Sequence, residues 1–330
     1  MSLTTVTIIS PEAANGRNVA ALGVVRALAS TKRTGVFRPA VCKKETFTST
    51  LLDAANIGQT VEQARGVCPK CARRDKDGAR GDIVAAYETT VAELEPEAMV
   101  VVGTDRSSVN DPDGFAFNAD VAADLQSPVF LAVCTIDRTP EQVRETIEAC
   151  TATVEDHGSA VLGVFVTGAD EEQIPELKAF FASADVPTWV LPKVDFEEDG
   201  AVEKAVEAFD SNVPASEVLA ALATPFNAPV TPYAFQYGLL GKAKAARKTI
   251  VLPAEDRIIK AADYLLERDI VNLIIVGDKE AIMARGEQLG LNSLGKAKFQ
   301  AMDDESVLAP MVAKLCELRA KKGMTEEQAR

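Results

Sequence analysis

The chain has almost no histidine. Its 330 residues contain a single one, His157. That scarcity excludes the H-E-x-x-H metal helix and the Cys2His2 finger, each of which needs two histidines, and no Ser-His-Asp arrangement is evident around His157. Long apolar runs are missing too. No stretch approaches the 18 residues of a membrane-spanning helix, and the first residues lack the basic start of a signal peptide. EF-hand spacing is absent. Positive charge is in deficit: 35 Lys and Arg face 49 Asp and Glu, a net charge of −14 with a pI near 4.7. Nucleic acid and anionic membranes repel such a chain, so neither is an expected partner. An anionic substrate then needs a local basic pocket. The six cysteines stand at 42, 68, 71, 134, 150 and 316. Five of them lie in apolar or mixed contexts that suit buried free thiols. We expect a cytoplasmic protein with reduced cysteines.

What is present is an alternation of strands and helices. Apolar runs predict strands over 6–9, 36–41, 98–103, 128–134, 160–166 and 187–192. The runs "AMVVVG" and "PVFLAVC" are continuous, as central parallel strands require. Helices are expected over 19–29, 81–94, 121–125, 139–158 and 175–183. The fourth of these carries a Thr-Pro-Glu start and a Gly158 stop. The fold class is therefore α/β: a doubly wound, mainly parallel, P-loop-like sheet, followed by a partial second α/β domain. Prolines at 214, 225, 229 and 232 mark an interdomain connection over 212–232. We place the domains at 1–225 and 226–330. In the second, strands are expected at 248–253 and 272–277. Helices are expected at 235–246, 256–267, 279–289 and 309–320, and Thr325 reads as the N-cap of a further helix in which the chain ends.

The opening segment "TIISPEAANGRNVAALGVVRAL" has the strand, loop and helix of a phosphate cradle. A working P-loop needs glycines, a lysine and a magnesium-binding hydroxyl. Here Gly16 is followed by Arg17 and Asn18, and Glu12 adds a charge that repels phosphate. We read Gly16, Arg17 and Asn18 as a degenerate phosphate loop, with Asp105 of "VVVGTD" as the acidic residue offered by a neighbouring strand. A second anion site is expected where "LPAEDRIIKAA" turns from strand to helix, with Asp256 and Arg257 in the first turn. The competing reading there is an ion pair between Arg257 and Glu255 or Asp256. Cys68-Pro-Lys-Cys71 is half of a zinc site. Incidental surface thiols, a redox-sensitive disulfide and an intermolecular zinc remain open for it. His157 reads as a helix-end residue. No metal site and no catalytic base are assigned.

Two blocks of the sequence resemble a known family. "TPYAFQYGLLGKAKAARKTIVLP", "DRIIKAADYLLERDIVNLIIVGDKEAI" and "ELRAKKGMTEEQAR" are similar, in that order, to the start of the phosphate acetyl/butyryl transferase domain. "GRNVAALGVVRAL", "VFRPA", "VVVGTD" and "FNADVAADLQSPVFLAV" resemble the P-loop-like, dethiobiotin-synthetase-like domain that precedes it in long-form phosphate acetyltransferases. The resemblance covers residues 3–230 and 231–330. It implies an acyltransferase with acetyl-CoA, acetyl phosphate and phosphate as ligands, coenzyme A as a substrate in place of any bound cofactor, and a homo-oligomer. It also implies that the family's later catalytic residues have no counterpart here, so that this is a truncated chain, inactive alone. The alternative is a non-catalytic regulatory or interaction module on a degenerate P-loop scaffold. A dethiobiotin-synthetase-like ligase that binds ATP at Gly16 is a third reading.

Overall fold

The computed structural model describes residues 3–12, 16–104, 113–196 and 198–330. Their elements run β1 (Thr4–Ile9), α1 (Arg17–Ala29), β2 (Thr34–Ala40), α2 (Phe47–Ala54), β3 (Arg65–Val67), α3 (Pro69–Arg74), α4 (Lys76–Leu94) and β4 (Ala98–Val102). Then follow α5 (Gly114–Asp124), β5 (Val129–Cys134), α6 (Pro140–Asp156), β6 (Val161–Ala169), α7 (Ile174–Phe181), β7 (Thr188–Pro192), α8 (Ala201–Asn212) and α9 (Ala215–Leu222). The last are α10 (Pro232–Ala246), β8 (Thr249–Pro253), α11 (Asp256–Glu267), β9 (Asn272–Val276), α12 (Lys279–Gln288), β10 (Lys298–Gln300), α13 (Glu305–Arg319) and α14 (Glu326–Ala329). The chain divides into two compact units, 1–235 and 236–330.

In the first unit, seven strands among the described residues form one sheet in the order β3-β2-β4-β1-β5-β6-β7. Every pairing is parallel. Parallel neighbours need crossovers, which the intervening helices supply. The strands are apolar on both faces because both faces are covered. On one side β1, β4 and β6 pack against α1, α2, α8 and α9, with Leu28, Phe165, Phe209 and Val218 in the shared core. On the other, Leu131, Val133 and Val166 meet Val143 and Val154 of α6 and Leu177 of α7. Helix α1 lies inside the first layer and is buried along nearly its whole length. Its alanines and glycine have no polar face to show solvent. Gly23 is required there, since a β-carbon would overlap the Phe209 ring of α8.

Helix α6 has the expected punctuation: Thr139 closes a capping box with Gln142, and Gly158 follows at φ 88°. Thr325 also closes a capping box, with Gln328.

Three local expectations are corrected. The stretch 212–232 is not a plain connection. It contains α9, whose Val218 is fully buried and whose Ala221 is nearly so, both in the core beside α1. Its prolines flank the helix without entering it. Helix α4 begins at Lys76, five residues earlier than periodicity indicates, because the Asp75 carboxylate accepts the Gly78 N–H at 2.9 Å and caps it there. Of the six cysteines only Cys134 and Cys150 are buried, while Cys42, Cys68 and Cys71 are exposed.

The second unit holds a three-stranded parallel sheet, ordered β10-β9-β8. Ile259, Ala262 and Leu266 of α11 pack on Leu273 and Ile275 of β9, with Ile282 and Leu294 beside them. Val251 of β8 is 61 % exposed, so that strand is not enclosed.

Candidate functional site

Parallel α/β sheets bind ligands at the carboxyl ends of their strands. Both expected anion sites lie at such ends.

At the end of β1, Gly16 stands as the N-cap of α1 in the left-handed region, at φ 74° and ψ −20°. Glycine adopts that conformation without strain, and here a β-carbon would also overlap the Thr167 side chain of β6. The structure brings Gly16, Arg17 and Asn18 together as one turn and aims the arginine inward. Arg17 is 1 % exposed. Its guanidinium donates to the carbonyls of Gly103 and Thr104, at 2.9 and 3.1 Å, and to Asn18 Oδ1 at 2.8 Å. The same corner is tied by Asn118, whose Oδ1 accepts the Thr104 N–H at 3.0 Å. Asp105 lies outside the described residues.

Glu12 is fixed as firmly. Its carboxylate pairs with Arg138 and accepts the backbone N–H of Cys134 at 3.3 Å. Its neighbour Ser10 donates to it at 3.2 Å. A carboxylate of the chain itself thus occupies a strand-end N–H, a kind of donor that phosphate cradles use. Burial pushes the Cys134 thiol pKa up.

In the second unit, Asp256 opens α11 after β8. Arg285 of α12 takes its carboxylate from both sides, with Nε at 2.9 Å from Oδ1 and Nη2 on Oδ2. This doubly held pair keeps the Asp256 carboxyl below the usual carboxylate range. Arg257, the next residue, is not drawn in. Its side chain is 86 % exposed and meets Glu255 at 3.5 Å. Asp256 and Arg257 therefore face different partners. The α11 N-cap, Glu255, makes no side-chain cap hydrogen bond. Next to it, Gly277 at φ 141° leads into Asp278, which caps α12 by accepting the Ala281 N–H at 2.7 Å. Asp278 carried a readable N-cap signal that sequence reasoning passed over. Arg285 carried none, because its partner is 29 residues away.

His157 is the C-cap residue of α6, and its Nδ1 lies 2.8 Å from Asp120 Oδ1. Asp120 also pairs with Arg80, which grips the buried Asp124 carboxylate at 2.6 and 3.1 Å. This is a structural ion-pair network between α4 and α5. Among the described residues no group of three or more His, Cys, Asp or Glu is placed to hold a metal ion. No described helix is long and apolar enough to cross a membrane.

Known proteins fit this arrangement in two pieces. Residues 4–232 match the family described as AAA domain, and residues 234–330 match Phosphate acetyl/butaryl transferase. A phosphate acetyltransferase of Nitratidesulfovibrio vulgaris is 33 % identical over 148 residues, 42 % of this chain and 20 % of that protein. The phosphate acetyltransferase of Helicobacter pylori is 39 % identical over 102 residues, 30 % of this chain and 20 % of that protein. That of Escherichia coli is 38 % identical over 107 residues, 31 % of this chain and 14 % of that protein. The chain thus spans a fifth or less of the length of these relatives. A solved GTPase of Pyrococcus abyssi superposes with a TM-score of only 0.34 at 11 % identity, over 66 % of this chain and 82 % of that one. The chain belongs to the AAA domain family over residues 4–232, continued at 234–330 by a phosphate acetyl/butaryl transferase segment.

Proposed function

We propose that this chain is part of a phosphate acetyltransferase, which catalyses acetyl-CoA + phosphate ⇌ acetyl phosphate + CoA. The observation that carries the reading is the match of residues 234–330 to the transferase family, together with relatives that bear that enzyme's name. In this reading the coenzyme A thiolate attacks the acetyl carbonyl of acetyl phosphate directly, without a covalent acyl-enzyme. Catalysis then consists of positioning and stabilisation of the developing oxyanion. The α11 N-terminus forms one wall of the substrate cleft. Its uncapped backbone N–H groups and the outward Arg257 suit a phosphate or the coenzyme A diphosphate. Asp256 serves by holding Arg285, which fixes α12 beside α11. We assign no catalytic base to these residues, and coenzyme A enters as a substrate. A cytoplasmic homo-oligomer completes the proposal.

The test is phosphate-dependent consumption of acetyl-CoA by a polypeptide that carries this chain with the full transferase region. Arg257→Ala should raise the KM for phosphate or coenzyme A roughly 10- to 150-fold, the value of one charge-assisted hydrogen bond of about 1.5–3 kcal/mol. Unchanged constants would remove Arg257 from the cleft, and absence of turnover in the long polypeptide would remove the function. The 330 residues alone should give no turnover.

For the first unit a second reading is favoured by Arg17 and Glu12. Arg17 is engaged by the Gly103 and Thr104 carbonyls and Glu12 by Arg138, so in this reading the unit acts as a regulatory or interaction module and turns over no nucleotide.

A further inference from the structure

The pair Cys68 and Cys71 is absorbed neither by the sheet's core nor by the transferase reading. Cys68 leaves the edge strand β3 and stands as the N-cap of α3, with Pro69 at the first helical position. Its Sγ accepts the backbone N–H of Cys71 at 3.2 Å. The Cys68 sulfur therefore already lies over the backbone of its partner, and both residues are exposed. The remaining thiols are placed differently. Cys134 and Cys150 are buried, and Cys316 is half-buried on α13. Cys42 alone comes to the same edge. It follows Val41, whose N–H donates to the Val67 carbonyl at 3.2 Å at the ends of β2 and β3.

We propose that Cys68 and Cys71 are a reversible dithiol–disulfide pair, with Cys68 as the attacking sulfur, that exchanges with low-molecular-weight disulfides. The chemistry needs a thiolate beside a second thiol, both reachable from solvent. Hydrogen bonds from the Cys71 side chain and backbone lower the Cys68 pKa. The bond to Cys68 raises that of Cys71, which therefore keeps its proton. Lys70 lies between them and also favours the Cys68 thiolate. In the first step the Cys68 thiolate attacks one sulfur of an oxidised thiol RSSR. A mixed disulfide forms and RS⁻ leaves. In the second step Cys71 loses its proton and its sulfur displaces the remaining RS⁻. The balance is two protein thiols plus RSSR giving one intramolecular disulfide plus two RSH. The two protein sulfurs are oxidised and RSSR is reduced. Cys68 and Cys71 bracket one turn, so the bond closes within α3 and its N-cap.

The experiment equilibrates the full chain at pH 7 with glutathione buffers of graded redox poise. Alkylation, proteolysis and mass spectrometry follow. In a single two-electron transition the peptide containing residues 68–71 should pass from carrying two alkyl groups to carrying none, and a dithiol reductant should reverse it. Cys71→Ser should trap glutathione on Cys68 as a stable mixed disulfide. Cys68→Ser should leave Cys71 reacting no faster than Cys42. In the reduced protein Cys68 should alkylate measurably faster than Cys42. Pairing of Cys68 with Cys42, pairing between two copies, or equal alkylation rates would each overturn the proposal. So would protection of the thiols that a chelator removes and a reductant does not, which would mean a metal shared between copies.

Discussion

Gly163 of β6 sits opposite Phe130 of β5, beneath an aromatic box. A β-carbon at Gly163 would lie 2.7 Å from Trp189 Cζ3, 3.0 Å from Cη2 and 3.1 Å from Phe130 Cε1. Carbon atoms prefer about 3.5–4.0 Å, so in Gly163→Ala the indole must retreat by about 1 Å. It has little room. Trp189 is stacked on Phe165 at 5.0 Å and lies edge-on to Phe130 at 5.8 Å. Its Nε1–H is held by Glu217 Oε2 at 2.8 Å. Two effects compete. Replacing a strand glycine returns roughly 0.5–1 kcal/mol of backbone entropy. Overpacking a closed core costs about 1–3 kcal/mol, and the boxed ring puts this site at the upper end. Overpacking wins, and we expect a net loss of about 2 kcal/mol. For a unit of this size that lowers Tm by about 4–8 °C. Urea unfolding followed by circular dichroism measures the loss. Emission of Trp189, the chain's only tryptophan, reports the ring's displacement. Combining Gly163→Ala with Trp189→Phe should recover at least about 1 kcal/mol as a coupling energy, since the two residues touch. A Gly163→Ala protein as stable as the parent, with unchanged emission, would refute the packing argument.

Four further outcomes are expected. Asp124→Ala should cost about 2–3 kcal/mol, because it strips the partly buried Arg80 of its main partner. Asp210→Ala, which breaks the exposed pair with Arg26, should cost under about 1 kcal/mol; equal losses in urea would show that burial is not what matters. Burial pushes the Cys150 thiol up to about 12, whereas an unfolded thiol titrates near 8.5. The native state therefore holds a proton that the unfolded state has lost. That stability is fully present below about pH 8.5 and is lost as the pH rises towards about 12, with a slope of at most ~1.4 kcal/mol per pH unit. Cys150→Ala should remove this part of the alkaline decline, and parallel curves for the two proteins would count against it. Finally, ATP with magnesium should not raise the melting temperature of the chain, since a ligand bound by the native state must stabilise it. A rise of several degrees would mean that the Gly16 loop binds nucleotide, and would revive the ligase reading.

Much of this protein is written locally. The apolar runs of β4, β5 and β6 read as central strands because burial on both faces leaves no alternation. Helix α6 announces both its ends through Thr139, Pro140 and Gly158, and α14 its start through Thr325, since capping involves only neighbours in the chain. The transferase segment was legible in strings of residues. Short or half-polar elements were not. β3 and β10 have three residues each, too few to show a period, and exist only because β2 and β9 offer them an edge. Helix α9 hides among prolines, and the burial of Val218 beside α1 is what makes it a helix. The candidate sites divide in the same way. Gly16, Arg17 and Asn18 are adjacent in sequence, but nothing adjacent says that Arg17 turns inward. Carbonyls 86 and 87 residues away decide it, as Arg285 decides the fate of Asp256. The sequence by itself determined the central strands, the ends of α6, the start of α14 and the family, because those depend on short-range pattern. Only the tertiary structure decided which charges remain open to a ligand, because a side chain's partners are chosen by strands that meet across the sheet.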